Sequence, residues 1–209
     1  MYENETQAIK AALQTFEKAT CFRFIRDQSA YFDSITFWRT SQEKCRAVVG
    51  KQAYNYIVGY YRCWSKQGYI LHELMHALGF RHEHQRPDRA EHVAVLEENI
   101  LPDHLHFFEL LDDQHHTTLG TDYDPYSVMH YEPTLFTNDN ADRTMNSLKA
   151  NVPLEKIGQK LTLSRGDIEI INRLYCADAS NKNTSNEGKQ SRQAKNSVRT
   201  TENEGEPPQ

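Results

Sequence analysis

Apolar residues recur at helical spacing near the N-terminus and then cluster in several short runs. Ile9, Ala12 and Phe16 fall on one helical face among charged neighbours, which predicts an amphipathic helix over residues 2–18 rather than a signal sequence. Four runs that follow are rich in aromatic and β-branched residues, as is typical of strands. The predicted strands cover residues 21–25, 34–38, 46–49 and 54–61. A helix followed by several strands indicates an α+β fold.

A second helical pattern runs from Tyr69 to Phe80, where apolar residues cover most of the circumference and predict a buried helix. Beyond it the chain is rich in turn-forming residues, and the pattern predicts two more helices, over 90–99 and 105–111. A last helix is predicted to begin at Ser164, a serine cap followed by an apolar face.

The C-terminal stretch from Asp178 to Gln209 contains almost no large apolar residue, and its composition predicts a disordered polar tail. Its charges cancel, so the formal net charge of -5 belongs to residues 1–177, the predicted folded domain. A mildly acidic domain without a basic stripe argues against nucleic acid as a partner. No apolar run is long enough to span a membrane.

The most specific chemistry lies in LHELMHALGFRHEHQRPDR, residues 71–89. His72 and His76 are four residues apart, so on a helix their rings share one face and can converge on one metal ion. His82 can supply a third ligand only if the helix ends, because six more helical residues would carry it about 9 Å along the axis. Gly79 stands where the chain must double back, and glycine adopts the left-handed conformation readily.

Glu73 follows His72 on the helix and points to the neighbouring side, where it can hydrogen-bond to a water on the same ion. This position predicts that Glu73 is the general base of a hydrolase. The alternative is a structural zinc site, but such sites are usually closed by four ligands and rich in cysteine, and no cysteine is near. One catalytic Zn²⁺, held by three histidines, is the predicted cofactor.

The chain has four cysteines, none of them in a Cys-x-x-Cys pair: Cys21, Cys45, Cys63 and Cys176. An even number of dispersed cysteines around a hydrolytic site predicts two disulfides and an oxidising compartment, with three pairings open. Four buried free thiols in a cytosolic protein are the alternative. Six histidines lie in polar surroundings and are predicted to be solvated: His84, His92, His104, His106, His115 and His116.

Residues 72–82 match the metzincin pattern, and the continuation Glu83-His84-Gln85-Arg86-Pro87-Asp88-Arg89 resembles the astacin family specifically. Ser127-Val128-Met129-His130-Tyr131 resembles that family's Met-turn, in which the methionine packs beneath the metal site. The resemblance, which extends from about Thr6 to Cys176, implies that Tyr131 binds the zinc at rest and later hydrogen-bonds the tetrahedral intermediate.

The resemblance also implies a zincin-like, two-lobed catalytic domain with a twisted mixed sheet, an upper lobe of about 1–79 and an irregular lower lobe of about 80–177. By the same analogy Cys21 pairs with Cys176, and Cys45 with Cys63. Glu83 matches the glutamate that meets the new N-terminus of mature astacins. The family's first strand, upstream of the first helix, has no counterpart here, so the chain is expected to lack its natural N-terminal region. The segment 46–49 resembles the edge strand that pairs with a peptide substrate.

These observations predict a secreted, monomeric zinc metalloendopeptidase that acts on peptide or protein substrates, with His72, His76 and His82 as metal ligands and Glu73 and Tyr131 as catalytic residues. An inactive, truncated relative that serves as a binding or decoy protein is the alternative. A zinc amidase or exopeptidase would need a group that anchors a substrate terminus, and the sequence shows no such group.

Overall fold

A computed structural model describes residues 2–27, 34–112 and 117–177, and the backbone of residues 197–204. The chain forms two compact units. The first contains Met1–Phe80, Lys160–Leu163 and Ile171–Gln209, and the second contains Arg81–Gln159 and Ser164–Ile170. No helix in the described part of the chain combines the length and apolarity needed to cross a bilayer.

The first unit begins with helix α1, Glu3–Ala19, as the apolar spacing predicted. Ile9, Ala12 and Phe16 are buried along one face, and the Phe16 ring packs edge-on against Phe22. The Glu5 carboxylate accepts a hydrogen bond from the backbone N–H that precedes the helix, which satisfies one donor left open at the N-terminus.

A five-stranded sheet supports α1, and its order is β1-β7-β2-β4-β3. Its strands are β1 (Arg23–Arg26), β2 (Ser34–Arg39), β3 (Cys45–Ala47), β4 (Asn55–Gly59) and β7 (Ser197–Glu204). Neighbouring strands are parallel except for the edge strand β3, which is antiparallel to β4. Four of the six residues of β2 are buried in succession, as expected for a strand that is covered on both faces. The four strands predicted in this region are confirmed.

Strand β7 differs from the prediction, because the sequence indicated a disordered tail throughout 178–209 and residues 197–204 pair with two strands. Pairing through the backbone requires no apolar side chain, so a composition argument does not detect it. The predictions for residues 178–196 and 205–209 lie outside the described residues.

Helices α2 (Tyr61–Trp64) and α3 (Gln67–Ala77) complete the first unit. Leu71 and Leu74 of α3 are fully buried, in agreement with a helix that is apolar around most of its circumference. Gly68 lies so close to the chain at Lys160 that an added Cβ would come within 2.0 Å of that residue's backbone. A larger residue there would therefore push α3 away from this segment.

The second unit contains little regular structure. It consists mostly of short 3₁₀ turns, with a small antiparallel pair formed by β5 (Val93–Val95) and β6 (Met145–Ser147). The α-helices predicted over 90–99 and 105–111 are wrong. The first stretch contains β5, and only residues 105–108 of the second are helical, as part of a 3₁₀ helix, Pro102–Phe108. A cluster of apolar residues forms the core of this unit: Val93, Ile100, Phe108, Tyr123, Tyr131, Met145 and Ile157.

Helix α4, Arg165–Ile171, follows Ser164 as predicted and continues as one π-helical turn over Asn172–Cys176. The Ser164 hydroxyl accepts a hydrogen bond from the Asp167 N–H at 2.9 Å, and Asp167 Oδ2 accepts from the Ser164 N–H at 2.9 Å. This reciprocal pair is a capping box that fixes the start of the helix.

Two disulfides, Cys21–Cys176 and Cys45–Cys63, confirm the pairing that the resemblance implied. The first joins residues 155 apart in sequence, and closing so long a loop in the unfolded chain corresponds to about 4–5 kcal/mol of stabilisation. The bridge also explains a difference from the predicted lobes: residues 171–177 belong to the first unit, because Cys176 is bonded to Cys21 there and the Tyr175 hydroxyl donates to the Leu78 carbonyl.

Candidate metal centre

His72 and His76 lie one helical turn apart on α3, and their ring centroids are 4.6 Å apart. Both side chains are buried, at 8% and 6% exposure, in a helix whose other faces are apolar. His76 Nδ1 lies 2.9 Å from the Phe80 carbonyl oxygen, so Nδ1 carries the proton and Nε2 the lone pair. An imidazole oriented by a backbone carbonyl in this way is the usual arrangement of a metal ligand.

The chain reverses after α3 at Gly79, which has a φ of +102°. The Gly79 N–H donates to the His76 carbonyl at 2.8 Å, and the Phe80 N–H donates to the Met75 carbonyl at 3.0 Å. A left-handed residue at this position closes the helix and satisfies its last carbonyls. The prediction that Gly79 ends the helix and lets the chain double back is confirmed.

His82 follows this reversal in an extended conformation. Its Nδ1 lies 3.3 Å from the Gln85 amide oxygen, which leaves Nε2 as the donor atom of this ring also. One nitrogen from each of His72, His76 and His82 forms a group in which all the atoms lie within 4.8 Å of one another. The residues from 72 to 82 thus bring together the three histidines that the sequence singled out as candidate ligands.

This donor set fits zinc well. Three neutral imidazoles with no cysteine are typical of a catalytic zinc site, which keeps one position open for water or substrate. Glu73 provides an independent indication, because its Oε2 is buried and has no hydrogen-bond partner among the described residues. A buried carboxylate oxygen without a partner is costly unless a further group, such as a water, bonds to it.

Glu73 is 5% exposed and lies on α3 next to the edge of the sheet. Burial raises the pKa of its carboxyl to about 8, against the opposing effects of a hydrogen bond from the Ala47 backbone and the charge of Lys160. A divalent cation nearby would favour the ionised form and bring this pKa down. The contact with Ala47 places the carboxylate beside strand β3, whose outer edge pairs with no other strand among the described residues.

Gly50 is a structural residue of this site that the sequence analysis did not identify. It has a φ of +81°, and its N–H donates to the His76 carbonyl at 2.8 Å. A Cβ added at Gly79 would lie 3.8 Å from the Gly50 Cα, so the two turns pass close together. Gly50 therefore ties the loop that follows β3 to the end of the helix that carries His76.

Tyr131 lies beside the third histidine in the second unit, with its ring centroid 4.6 Å from that of His82. The ring of His84 stacks on the Tyr131 ring, with centroids 3.9 Å apart and an interplanar angle of 26°. His84 is 0% exposed, so the prediction that this histidine is solvated is wrong. Burial lowers the pKa of His84 well below its ordinary value, and a neutral ring fits a position stacked against a phenol.

The segment that carries Tyr131 is held by hydrogen bonds from buried groups. The Ser127 hydroxyl and the Val128 N–H both donate to the Asp167 carboxylate, at 2.5 and 3.0 Å. His130 Nδ1 donates to the Tyr131 carbonyl at 2.7 Å, and the Tyr123 hydroxyl donates to His130 Nε2 at 2.6 Å. These bonds fix the turn at 127–131.

The backbone next to His82 is joined to this turn, because the Glu83 N–H donates to the Met129 carbonyl at 3.1 Å. Glu83 Oε1 accepts hydrogen bonds from Arg86 Nη1 at 3.1 Å and from the Asp124 N–H at 2.8 Å. Burial raises the pKa of Glu83 to about 7, and the Arg86 charge opposes that rise. Arg86, 3% exposed, is thus the charged partner of Glu83 in this structure.

The predicted site residues of each unit therefore lie close to one another. His72, Glu73 and His76 share α3, His82 follows its terminal turn, and Tyr131 packs against His82. The residues that sequence reasoning missed are those that hold others in place. Gln85 and Arg86 lie inside the motif stretch already singled out. Asp167 lies in the helix predicted to begin at Ser164, and no local pattern connects it with residue 127.

Comparisons with known proteins agree with this geometry. The family model Astacin (Peptidase family M12A) matches residues 1–176. Zinc metalloproteinase nas-14 of Caenorhabditis elegans is 36% identical over 180 residues, which cover 84% of this chain and 34% of that protein. The low choriolytic enzyme of Oryzias latipes is 35% identical over 178 residues, covering 83% of this chain and 62% of that enzyme.

Among solved structures, high choriolytic enzyme 1 of Oryzias latipes, a hatching enzyme zinc-protease, is similar with a TM-score of 0.74 and 34% identity. The match covers 84% of this chain and 84% of that one. This similarity confirms the predicted α+β, zincin-like fold. The chain spans about a third of the length of the nematode relatives it matches.

Proposed function

The chain belongs to the astacin family of zinc metalloendopeptidases, and from that premise we propose that it cleaves internal peptide bonds with one zinc ion held by His72, His76 and His82. The observation that carries this proposal is the group of three buried or half-buried imidazole nitrogens, together with a buried carboxylate oxygen of Glu73 that has no hydrogen-bond partner among the described residues and lies on the helix that carries His72 and His76. When bound, zinc supplies a Lewis acid that activates water and polarises a carbonyl.

Glu73 is proposed as the general base. Its carboxylate accepts a proton from the attacking water and then delivers that proton to the nitrogen of the leaving amine. Burial in the apolar surroundings of α3 raises the pKa of this carboxyl, and a bound divalent cation would lower it again, so that the carboxylate would be ionised and able to accept a proton.

Tyr131 is proposed as the donor to the developing oxyanion. Its ring packs against His82 and stacks on His84, and the turn that carries it is held by hydrogen bonds from Ser127, Val128 and His130. A phenolic O–H aimed at charge that exists only in the transition state raises kcat more than it strengthens substrate binding.

We further propose that an extended substrate pairs with the outer edge of β3. This edge strand runs beside Glu73 through the Ala47 contact, so a peptide added to it would pass close to the general base. Main-chain pairing tolerates varied side chains, which fits a peptidase that acts on protein substrates. The two disulfides favour an extracellular place of action, as does the similarity to hatching enzymes.

The test uses the full-length chain and an internally quenched peptide whose N- and C-termini are both blocked. We expect cleavage that 1,10-phenanthroline abolishes and one equivalent of zinc restores. Hydrolysis of unblocked peptides alone would identify an exopeptidase instead. Stoichiometric zinc binding without cleavage of any peptide would overturn the proposal in favour of the binding or decoy alternative.

A further inference from the structure

His84 lies two residues after the third proposed zinc ligand but does not belong to the group of candidate ligand atoms. Its side chain is fully buried in the second unit, and its ring stacks on that of Tyr131, with centroids 3.9 Å apart. The Phe108 ring meets both rings edge-on, with its centroid 5.4 Å from that of His84 and 5.7 Å from that of Tyr131. The three rings thus form one aromatic cluster within the second unit.

Two hydrogen bonds to residues outside the turn at 127–131 hold His84 in place. Its Nε2 lies 3.0 Å from the Phe107 carbonyl oxygen, and because a carbonyl can only accept, Nε2 carries the proton and Nδ1 the lone pair. The His84 carbonyl accepts a hydrogen bond from Arg89 Nη1 at 3.0 Å. The side chain and the backbone of His84 are therefore both fixed by neighbours other than Tyr131.

A polar ring at this buried position has a cost. His84 Nδ1 is buried and has no hydrogen-bond partner among the described residues, which lowers stability relative to an apolar side chain of the same shape. A leucine would avoid that cost but would offer no flat face, and a phenylalanine would leave the Phe107 carbonyl without its donor. Histidine combines a flat face with a donor at its edge, so that a hydrogen bond fixes the plane of the ring.

The stack restrains the Tyr131 phenol in one direction. At a centroid distance of 3.9 Å the phenol has no room to tilt or move toward His84, whereas sliding within its own plane keeps the rings in contact. The hydroxyl oxygen lies in the plane of its ring, so the stack confines the hydroxyl to that plane. A donor to an oxyanion needs such confinement, because it is effective only within about 0.5 Å of the productive position.

We propose that His84 is a positioning residue for peptide cleavage: its ring is the fixed surface that holds the Tyr131 phenol in the plane where the hydroxyl meets the oxyanion. The inference rests on the proposed function, in which Tyr131 donates to that oxyanion. In this role His84 transfers no proton and binds no metal. It acts on the reaction through the tyrosine.

A first experiment observes the stack by NMR in the zinc-loaded, full-length chain with ¹³C-labelled tyrosine rings. A ring stacked face-on shields the protons of its neighbour, so the Tyr131 resonances, assigned with Tyr131→Phe, are expected upfield of those of the exposed Tyr61. His84→Gln keeps one donor and one unpaired acceptor but has no ring, so this shielding is expected to disappear. His84→Phe is expected to retain it. Unchanged Tyr131 resonances in His84→Gln would overturn the inference.

A second experiment measures cleavage of the end-blocked peptide by the zinc-loaded variants. We expect His84→Gln to lower kcat about tenfold with KM and zinc content unchanged, because the tyrosine acts on charge that exists only in the transition state. The conservative variant His84→Phe restores the flat face and is expected to bring kcat back to within about threefold of the unchanged chain. Asn99→Ala is the control, since it also removes one side-chain bond to a backbone carbonyl, that of Arg143. This control is expected to lower the melting temperature and leave kcat unchanged.

A double-mutant cycle separates this inference from the proposed function. Tyr131→Phe is expected to lower kcat about 100-fold, and adding His84→Gln in that background to lower it by less than about twofold further, since no donor is left to position. Effects that multiply, or a His84→Phe variant as slow as His84→Gln, would overturn the positioning role while leaving that of Tyr131 intact. If Tyr131→Phe leaves kcat unchanged, the proposed role of Tyr131 fails and the positioning role fails with it. If His84→Gln melts below the assay temperature, His84→Met, which has neither a ring nor a buried amide, takes its place with the same expectations.

Discussion

Replacing Asp167 is expected to disturb the turn that carries Tyr131 while leaving every proposed zinc ligand in place. Its carboxylate accepts three hydrogen bonds: Ser127 Oγ at 2.5 Å on one oxygen, and the N–H groups of Val128 at 3.0 Å and Ser164 at 2.9 Å on the other. Asp167 is 2% exposed, so water cannot take the place of the lost oxygens without a rearrangement.

The two substitutions Asp167→Ala and Asp167→Asn differ in how many donors they leave unpaired. Alanine leaves all three, and at about 1–2 kcal/mol each the free energy of unfolding falls by about 3–6 kcal/mol. Asparagine can turn its oxygen toward the two N–H groups, so that only the Ser127 hydroxyl loses its acceptor, at a cost of about 1–2 kcal/mol.

Differential scanning calorimetry of the zinc-loaded chain measures the difference. For a chain of this size we expect the melting temperature to fall by roughly 10–15 °C in Asp167→Ala and by roughly 3–6 °C in Asp167→Asn. Glu169→Ala, an exposed acidic position on the same helix, is the control and is expected to change it by at most about 2 °C. Equal losses in the alanine and asparagine variants would refute the hydrogen-bond argument.

Two further predictions concern residues around Tyr131. Gly158→Ala is expected to lower the melting temperature by roughly 5–10 °C, because Gly158 has a φ of +66° and an added Cβ would lie 2.5 Å from the Tyr131 carbonyl carbon. Gly50→Ala, which meets the same kind of strain but only ordinary contacts, should cost roughly 2–4 °C, and an equal loss in both would contradict the clash. Burial raises the pKa of Tyr123 above its ordinary value of 10.0, so the folded chain keeps a proton that the unfolded chain loses. Melting temperature should therefore fall as the pH rises above 10, and an unchanged alkaline slope in Tyr123→Phe would contradict this assignment.

The first unit was predictable because its signals are local. The apolar face of α1, the β-branched runs of the strands and the buried character of α3 each appear within a few neighbouring residues. The end of α3 was predictable for a different reason. Three ligands on one ion require the chain to turn between His76 and His82, and Gly79 was the residue able to do it.

The second unit was predicted poorly because its structure depends on contacts between distant residues. The 90–99 stretch has helical spacing, yet Val93–Val95 forms a strand because it pairs with Met145–Ser147, about 50 residues further on. His84 has polar neighbours in sequence but stacks on Tyr131 in space. No pattern among neighbouring residues in the sequence indicates either contact.

Strand β7 was also missed because its partners are distant in sequence. Composition correctly reports that the C-terminal segment cannot form a core of its own, since it has almost no large apolar residues. It does not report that a sheet elsewhere in the chain offers backbone donors and acceptors on two strands.

The central claim is that Glu73 acts as the base of a zinc peptidase, and replacing it with its amide tests this most directly. Glu73→Gln keeps the size and polarity of the side chain but removes its ability to accept a proton, and it leaves the three histidines unchanged. Zinc content and cleavage of the end-blocked peptide are measured on the same preparation. The account predicts one zinc per chain and a loss of kcat of about 10²–10⁴-fold. A zinc-loaded variant that cleaves within tenfold of the unchanged chain would contradict it.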